Sequence, residues 1–167
     1  WVGTRQGVHR YNRAEDSFTN FPSRKDNISK GPVQGVIRTL AGTGKYLWIG
    51  TDKGLSRMDT ETEMFKHYVH EPDDPNSLTD IRIRKIYVDH KGWLWVGTAK
   101  GLNHFNPETG KSKQYLNDPD DPNTLNQNYV WSVCEGENGI IWIGTNGGGL
   151  NKLDTKTDSF TAYRVKD

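Results

Sequence analysis

One tetrapeptide pattern returns four times along the chain at a fixed interval: a tryptophan, a β-branched residue, a glycine and a threonine. The copies begin at Trp1, Trp48, Trp95 and Trp142, so each interval is 47 residues. A fixed period of this length indicates a repeat architecture, in which each unit packs against its neighbours. The period fits the blades of a β-propeller and also overlaps the range of helical HEAT and armadillo repeats, so the content of the unit must decide.

The residues within each repeat favour short strands and tight turns. A second glycine follows six residues after each tryptophan, at Gly7, Gly54, Gly101 and Gly148. Two of the three connecting loops carry two prolines three residues apart, which excludes a helix interior or a central strand; these are Pro72 with Pro75, and Pro119 with Pro122. No segment shows ten residues of helical periodicity. The unit is therefore a set of strands and turns.

Four strands can be assigned to each unit. Strand A follows the proline loop, strand B carries the tryptophan, strand C begins at the second glycine, and strand D holds a pair of aromatic residues in most copies. The pattern predicts an all-β chain that forms part of a β-propeller of four-stranded antiparallel blades. The expected blades cover residues 33–69, 81–116 and 128–167, and a partial blade with strands B, C and D covers residues 1–22.

The tryptophans are expected to have a structural role. Side chains alternate across a strand, so Trp48 and Gly50 point to the same face of strand B. A bulky side chain beside a glycine gives a protrusion and a hollow, which would let neighbouring blades interlock. Each tryptophan could bury about 150–250 Å² in this way.

Composition excludes several classes of protein. The net charge is only +1, from 22 basic and 21 acidic residues, so no nucleic-acid footprint is visible. No run of 18 apolar residues exists, and we expect no membrane insertion by this piece. Cys134 is the one cysteine, so no internal disulfide can form.

The motifs together resemble one family. The Leu-Trp-Ile-Gly-Thr strand, the Gly-Leu strand and the Pro-Asp-Asp-Pro-Asn-Ser-Leu loop look like the two-component regulator propeller repeats found in hybrid two-component sensors of Bacteroidetes. The resemblance implies a periplasmic sensor region that precedes a transmembrane helix and a histidine kinase, with carbohydrates as ligands. It also implies about seven blades to a ring, so this chain would hold about half a ring.

Polar and aromatic residues around the start of strand A are the candidates for ligand binding. Arginine pairs with carboxylates or sulfates through a bidentate fork, aromatic faces stack on sugar rings, and amides bond hydroxyls. This mixture suits a charged or neutral oligosaccharide. The candidates are Gln34, Arg38, Arg82, Arg84, Asn128, Tyr129 and Trp131.

Other chemistry has weaker support in the sequence. The aspartates of the proline loops lack the spacing of a calcium loop and are expected to cap turns. We predict no catalytic residue, metal site or cofactor, and therefore no enzyme activity in this chain. A propeller-based carbohydrate-active enzyme of the lyase type and a non-binding scaffold remain as alternatives. Half a ring would leave two blade faces open, so self-association or packing against missing blades is expected.

Overall fold

The computed structural model describes residues 1–23 and 28–164, and it consists of four antiparallel sheets. Three of them have four strands and one has three, as the repeats predict. The first sheet, blade 1, contains β1 (Val2–Gly3), β2 (Gly7–Asn12) and β3 (Ser17–Pro22). Blade 2 follows a short 3-10 turn at Ile28–Lys30 and contains β4 (Ile37–Thr43), β5 (Tyr46–Thr51), β6 (Gly54–Asp59) and β7 (Phe65–Tyr68).

The other two sheets repeat this plan. Blade 3 contains β8 (Ile83–Val88), β9 (Leu94–Thr98), β10 (Gly101–Phe105) and β11 (Ser112–Tyr115). Blade 4 contains β12 (Val130–Glu135), β13 (Ile140–Thr145), β14 (Gly149–Asp154) and β15 (Ser159–Tyr163), with a 3-10 turn at Glu137–Gly139. Strand order in each sheet follows chain order, so every blade is a meander. Residues 165–167, expected in the last blade, lie outside the described part.

The glycine of each repeated tetrapeptide forms a socket for the next blade. A Cβ atom added to Gly50 would lie 2.6 Å from Cγ2 of Ile83, the first residue of β8. The same contact recurs between Gly97 and Val130, where the distance would be 2.6 Å. Only a residue without a side chain lets the neighbouring strand approach this closely.

The tryptophans pack beside these sockets. Trp48 is fully buried between blades 2 and 3, where its ring meets Phe105 edge-on with 5.5 Å between centroids. Trp95 is buried in the same way between blades 3 and 4. The expected interlocking of blades is therefore observed, and the residue that fills the glycine hollow is an aliphatic residue of the next blade. The hydrophobic core lies in three clusters, one at each junction between blades.

The proline loops run across these junctions. Leu78 and Leu125 end the two loops and are buried in the junction clusters. The buried amide of Asn103 fixes the first loop, because its Oδ1 accepts a hydrogen bond from Thr79 N at 2.9 Å and its Nδ2 donates to Thr79 Oγ1 at 2.9 Å. These contacts fix the position at which strand A of the next blade begins.

Both ends of the array expose the faces that are buried elsewhere. Blade 4 presents Leu150 and Tyr163, which are 43% and 48% exposed, at the positions of the buried Leu102 and Tyr115. Blade 1 exposes Val2, Tyr11 and Phe18 at its opposite face. No described helix has the length and apolar character needed to cross a bilayer.

The glycine socket can be tested by adding one methyl group. Gly50→Ala would bring a Cβ against Thr39 and Ile83 at 2.6 Å each, so we expect the free energy of unfolding to fall by about 1–3 kcal/mol. Urea denaturation followed by tryptophan fluorescence measures the loss. Gly42→Ala is the matched control, because no atom lies within 4 Å of its added Cβ. Equal stabilities for the two variants would contradict the socket.

Candidate functional site

A β-bulge interrupts the start of strand A in each complete blade. The pairing shifts by one residue between Ile37 and Thr39, between Ile83 and Lys85, and between Val130 and Ser132. The extra residues are Arg38, Arg84 and Trp131. Bulges re-aim a side chain and are frequent next to functional sites. All three bulged residues were candidates from the sequence.

The position of the bulge follows from the glycine socket. In each blade the residue just before the bulge is the aliphatic side chain that fills the socket of the preceding blade, as Ile83 fills that of Gly50. The socket holds this residue in place, and the bulge releases the following residue from the sheet register. Strands β4, β8 and β12 pack against one another, so the three bulges lie on neighbouring inner strands.

Arg84, Tyr129 and Trp131 form one cluster, which we call the inner-strand cluster. The guanidinium carbon of Arg84 lies 5.1 Å from the ring centroid of Tyr129 and 5.7 Å from that of Trp131. The two rings are 4.9 Å apart and inclined by 49°. Arginine at these distances is attracted to the ring faces. The cluster joins blade 3 to the start of blade 4.

Two details make the inner-strand cluster a candidate binding site. The Nε atom of Arg84 is buried and has no hydrogen-bond partner among the described residues. Buried polar atoms are normally paired, so an exception calls for an explanation. Trp131 is 52% exposed, which leaves much of its ring open to a ligand.

Arg82 has a different environment. Its Nε and Nη2 atoms donate to the two carboxylate oxygens of Asp80 at 3.1 and 2.8 Å. Burial alone would raise the pKa of Asp80, but the hydrogen bonds from Arg82 outweigh it and the net pKa lies below the ordinary value. Arg82 is therefore occupied by an internal ion pair.

The remaining candidates take no part in the contacts between Arg84, Tyr129 and Trp131. Asn128 accepts a hydrogen bond from Asn117 N at 2.7 Å, so its carbonyl oxygen fixes the loop before β12. Gln34 is exposed in the loop before β4, and Arg38 is exposed on the bulge of that strand. No hydrogen bond in the described part of the chain joins these three residues to Arg84.

Sequence reasoning missed a polar cleft between blades 3 and 4. The cleft has a volume of about 540 Å³. His90 N donates to Glu135 Oε2 at 3.0 Å, and His90 Nδ1 pairs with the other oxygen of Glu135. Lys113 Nζ donates to Asp158, which also accepts from the Tyr115 hydroxyl at 3.0 Å. These pairs link residues 43 to 45 positions apart, but they occupy one pair of blades only, so the repeat pattern did not show them.

His104 lines the same cleft. Its ring stacks on Trp95 with 4.1 Å between centroids, and its Nε2 lies 3.1 Å from Asp89 Oδ2. Burial lowers the pKa of His104, although the hydrogen bond to Asp89 opposes the shift. A sequence signal existed, because the equivalent strand C positions are basic in every copy: Arg10, Arg57, His104 and Lys152.

The proline-loop aspartates cap turns. Asp74 Oδ1 accepts from Asn76 N at 2.8 Å, and Asp121 Oδ1 accepts from Asn123 N at 2.9 Å. Their oxygens are thus used by the backbone within two residues, in the manner of Asx turns. Within residues 1–23 and 28–164, no group of three or more metal-ligating side chains is assembled.

Repeated four-stranded meanders, interlocked at glycine sockets and bearing a side-chain cluster on their inner strands, define part of a β-propeller. Residues 77–100 and 124–147 match the family model described as two-component regulator propeller. The resemblance drawn from the motifs is confirmed in these two segments. They contain most of the candidate residues, namely Arg82, Arg84, Asn128, Tyr129 and Trp131.

Solved structures share the fold. The extracellular domain of the hybrid two-component system BT3049 from B. thetaiotaomicron superposes with a TM-score of 0.86 at 24% identity, covering 98% of this chain and 23% of that one. The extracellular domain of BT4673 from the same organism gives a TM-score of 0.70 at 24% identity, with 99% and 20% covered.

A third solved structure has a different role. PorZ, a surface component of the type-IX secretion system of Porphyromonas gingivalis, gives a TM-score of 0.66 at 13% identity, with 97% and 25% covered. This chain spans a quarter or less of the length of all three. A search of the curated proteins finds no match.

The half-buried His104 should make stability depend on pH. The unfolded chain protonates a histidine near pH 6.5, whereas the folded pKa of His104 is lower. The contribution of neutral His104 to the free energy of unfolding is therefore fully present above pH 6.5, and it is lost as the pH falls from that value through the lower pKa of the folded state. We expect the free energy of unfolding, measured in urea, to decrease from about pH 7 to about pH 5, and less steeply in His104→Arg. Arginine already stands at the equivalent positions of blades 1 and 2. Identical pH slopes for the two proteins would contradict the assignment.

Proposed function

We propose that this chain is part of the ligand-binding propeller of an extracytoplasmic bacterial sensor, and that it binds an oligosaccharide at the inner-strand cluster. The observation that carries the proposal is the placement of Arg84 against Tyr129 and Trp131 of the next blade, at two bulged positions. The bulges carry arginine in blades 2 and 3 and tryptophan in blade 4, so a charged and an aromatic side chain meet at the junction of blades 3 and 4. Such side chains, partly exposed and outside the packing of the sockets, suit recognition.

The chemistry of the cluster fits a sugar. Carbohydrates combine apolar C–H faces with many hydroxyl groups, and Trp131 offers an exposed aromatic face for the former. Arginine and tyrosine supply donors, and the tyrosine hydroxyl also accepts. A site of few polar groups beside aromatic surface is typical of small-ligand recognition.

The family match supports the sensor part of the proposal. Two segments carry the two-component regulator propeller repeat, and two of the solved structures with this fold are extracellular domains of two-component systems. A periplasmic position and a relay to a histidine kinase in the parent protein follow from that likeness as proposals. The signal would be a change in how the propeller contacts the domain that follows it.

Two other functions remain as alternatives to sensing. The fold is shared with PorZ, a surface component of a secretion system, so fold alone does not determine the function. A lyase-type enzyme would need a metal cluster, a tyrosine or histidine base, or a set of residues that binds a cofactor, and Tyr129 is the residue of the inner-strand cluster that could serve as a base. Glycan turnover by the intact parent protein would favour the enzyme, and absence of glycan binding would favour a scaffold.

Binding can be tested on the intact protein that contains this chain. An oligosaccharide panel screened by isothermal titration calorimetry should yield a ligand, and Trp131→Ala should weaken it roughly tenfold, because a stacking surface is lost. Trp93→Ala is the matched control, since Trp93 is also exposed but packs near His104 at the cleft between blades 3 and 4. Equal losses from both variants would contradict the inner-strand assignment.

The open end faces support a proposal about partners. Each junction inside the protein joins a face like that of Leu150 and Tyr163 to a face like that of Val2 and Phe18, so a second copy or further blades of the parent would cover them.

The chain of 167 residues should therefore self-associate as its concentration rises. Sedimentation velocity should show the association, and Leu150→Lys should weaken it, because a charge would be buried at the junction. Leu116→Lys is the control, since Leu116 is equally exposed outside the end faces. A monomer at every concentration would exclude this partner surface.

A further inference from the structure

The charge balance at the inner strands narrows the class of ligand. Arg38 and Arg84 occupy the bulges of blades 2 and 3, and in the described part of the chain neither makes an ion pair. The nearby carboxylates are already engaged. Asp80 is paired with Arg82, and Asp52 Oδ1 accepts a hydrogen bond from Val36 N at 2.9 Å. Two guanidinium groups on adjacent strands therefore have no ion-pair partner among the described residues.

Arg82 provides the contrast within the same blade. Only two residues before Arg84, it is held by both oxygens of a carboxylate that is itself buried. A salt bridge of this kind costs desolvation and gives little net stability, but it removes one arginine from ligand recognition. Arg84 has no such carboxylate and is positioned by two aromatic rings.

The contacts with the two aromatic rings do not use the N–H donors of Arg84. Ring faces attract the charge of a guanidinium without using its N–H groups as conventional donors, and Nε has no partner. Because the side chain is held between blades before a ligand arrives, less conformational entropy is lost on binding. Planar N–H donors of this kind match the oxygens of a carboxylate or a sulfate.

We infer that the inner-strand cluster recognises an acidic oligosaccharide, with a carboxylate or sulfate of the sugar bound by Arg84 and the sugar ring stacked on the exposed face of Trp131. This inference rests on the proposed function and adds the charge of the ligand to it. Arg38, one blade away on the neighbouring inner strand, is placed to meet a second acidic group of a longer chain.

Matched pairs of sugars test the charge separately from the sugar. Titration calorimetry on the intact protein would compare an oligogalacturonide with its methyl ester, and a carrageenan oligosaccharide, whose charge comes from sulfate alone, with its desulfated form. The acidic member of a pair should bind at least about tenfold more tightly than the neutral member, because a charged hydrogen bond contributes about 1.5–3 kcal/mol. The pair that shows the difference identifies carboxylate or sulfate as the group recognised.

Variants assign the difference to Arg84. Arg84→Gln should remove the preference for the acidic member and leave binding of the neutral member within about threefold, whereas Trp131→Ala should weaken both members. Arg13→Gln is the matched control, because Arg13 is exposed in a turn of blade 1 and loses the same charge. Unchanged unfolding midpoints would show that the variants remain folded.

The outcomes separate the two proposals. Equal binding of acidic and neutral members, unaffected by Arg84→Gln, would overturn the acidic ligand and leave oligosaccharide binding in place. A preference for acidic members that survives Arg84→Gln would also overturn the inference, since the anion would then lie elsewhere. No binding of any sugar would overturn the proposed function and the inference together.

Discussion

The contact on which the structure depends is the socket at the glycine of strand B. Ile83 sits over Gly50, and Val130 sits over Gly97, so two sheets approach at a distance that any side chain would prevent. Close approach lets Trp48 and Trp95 bury their rings beside the same junctions. Since tightly packed interiors resist changes in volume, a repeated socket fixes the angle between blades more firmly than a general apolar contact would.

The same contact determines which positions of strand A are left for the proposed ligand site. Strand B is buried on both faces, and the socket residue of strand A is committed to the neighbouring blade. The bulge immediately after that residue is the first position of strand A at which the side chain does not fill a socket in the neighbouring blade. Arg38, Arg84 and Trp131 stand there, so the bulge carries arginine or tryptophan in every complete blade, whereas the socket is filled by the aliphatic residues Ile37, Ile83 and Val130. The residue that packs between blades and the residue proposed for recognition are therefore consecutive in the sequence.

This separation explains how much the sequence predicts. The repeat period, the strand order and the position of Trp48 and Gly50 on the same face of strand B are predicted from residue spacing and from the alternation of side chains. The structure shows all three. The partner of the glycine could not be predicted, because Ile83 is 33 residues away and only the crossing of blades brings it there. A bulge depends on the register between strands, and the pairing of Arg82 with Asp80 depends on the fold of one loop. From the sequence alone, Arg82 and Arg84 are both predicted to bind ligand.

The position of Arg84 and Trp131 on different blades bears on how binding would be transmitted. A ligand held by both residues contacts the junction between blades 3 and 4, which also contains the His90–Glu135 and Lys113–Asp158 pairs. A ligand shifts a conformational equilibrium only by its difference in affinity for the two states. A site confined to one blade would gain nothing from a change in the angle between blades, whereas a site shared by two blades binds more tightly at one angle than at another. If the proposed function holds, a site shared by two blades is the arrangement through which a ligand would bias the angle between them, and the inner-strand cluster has that arrangement.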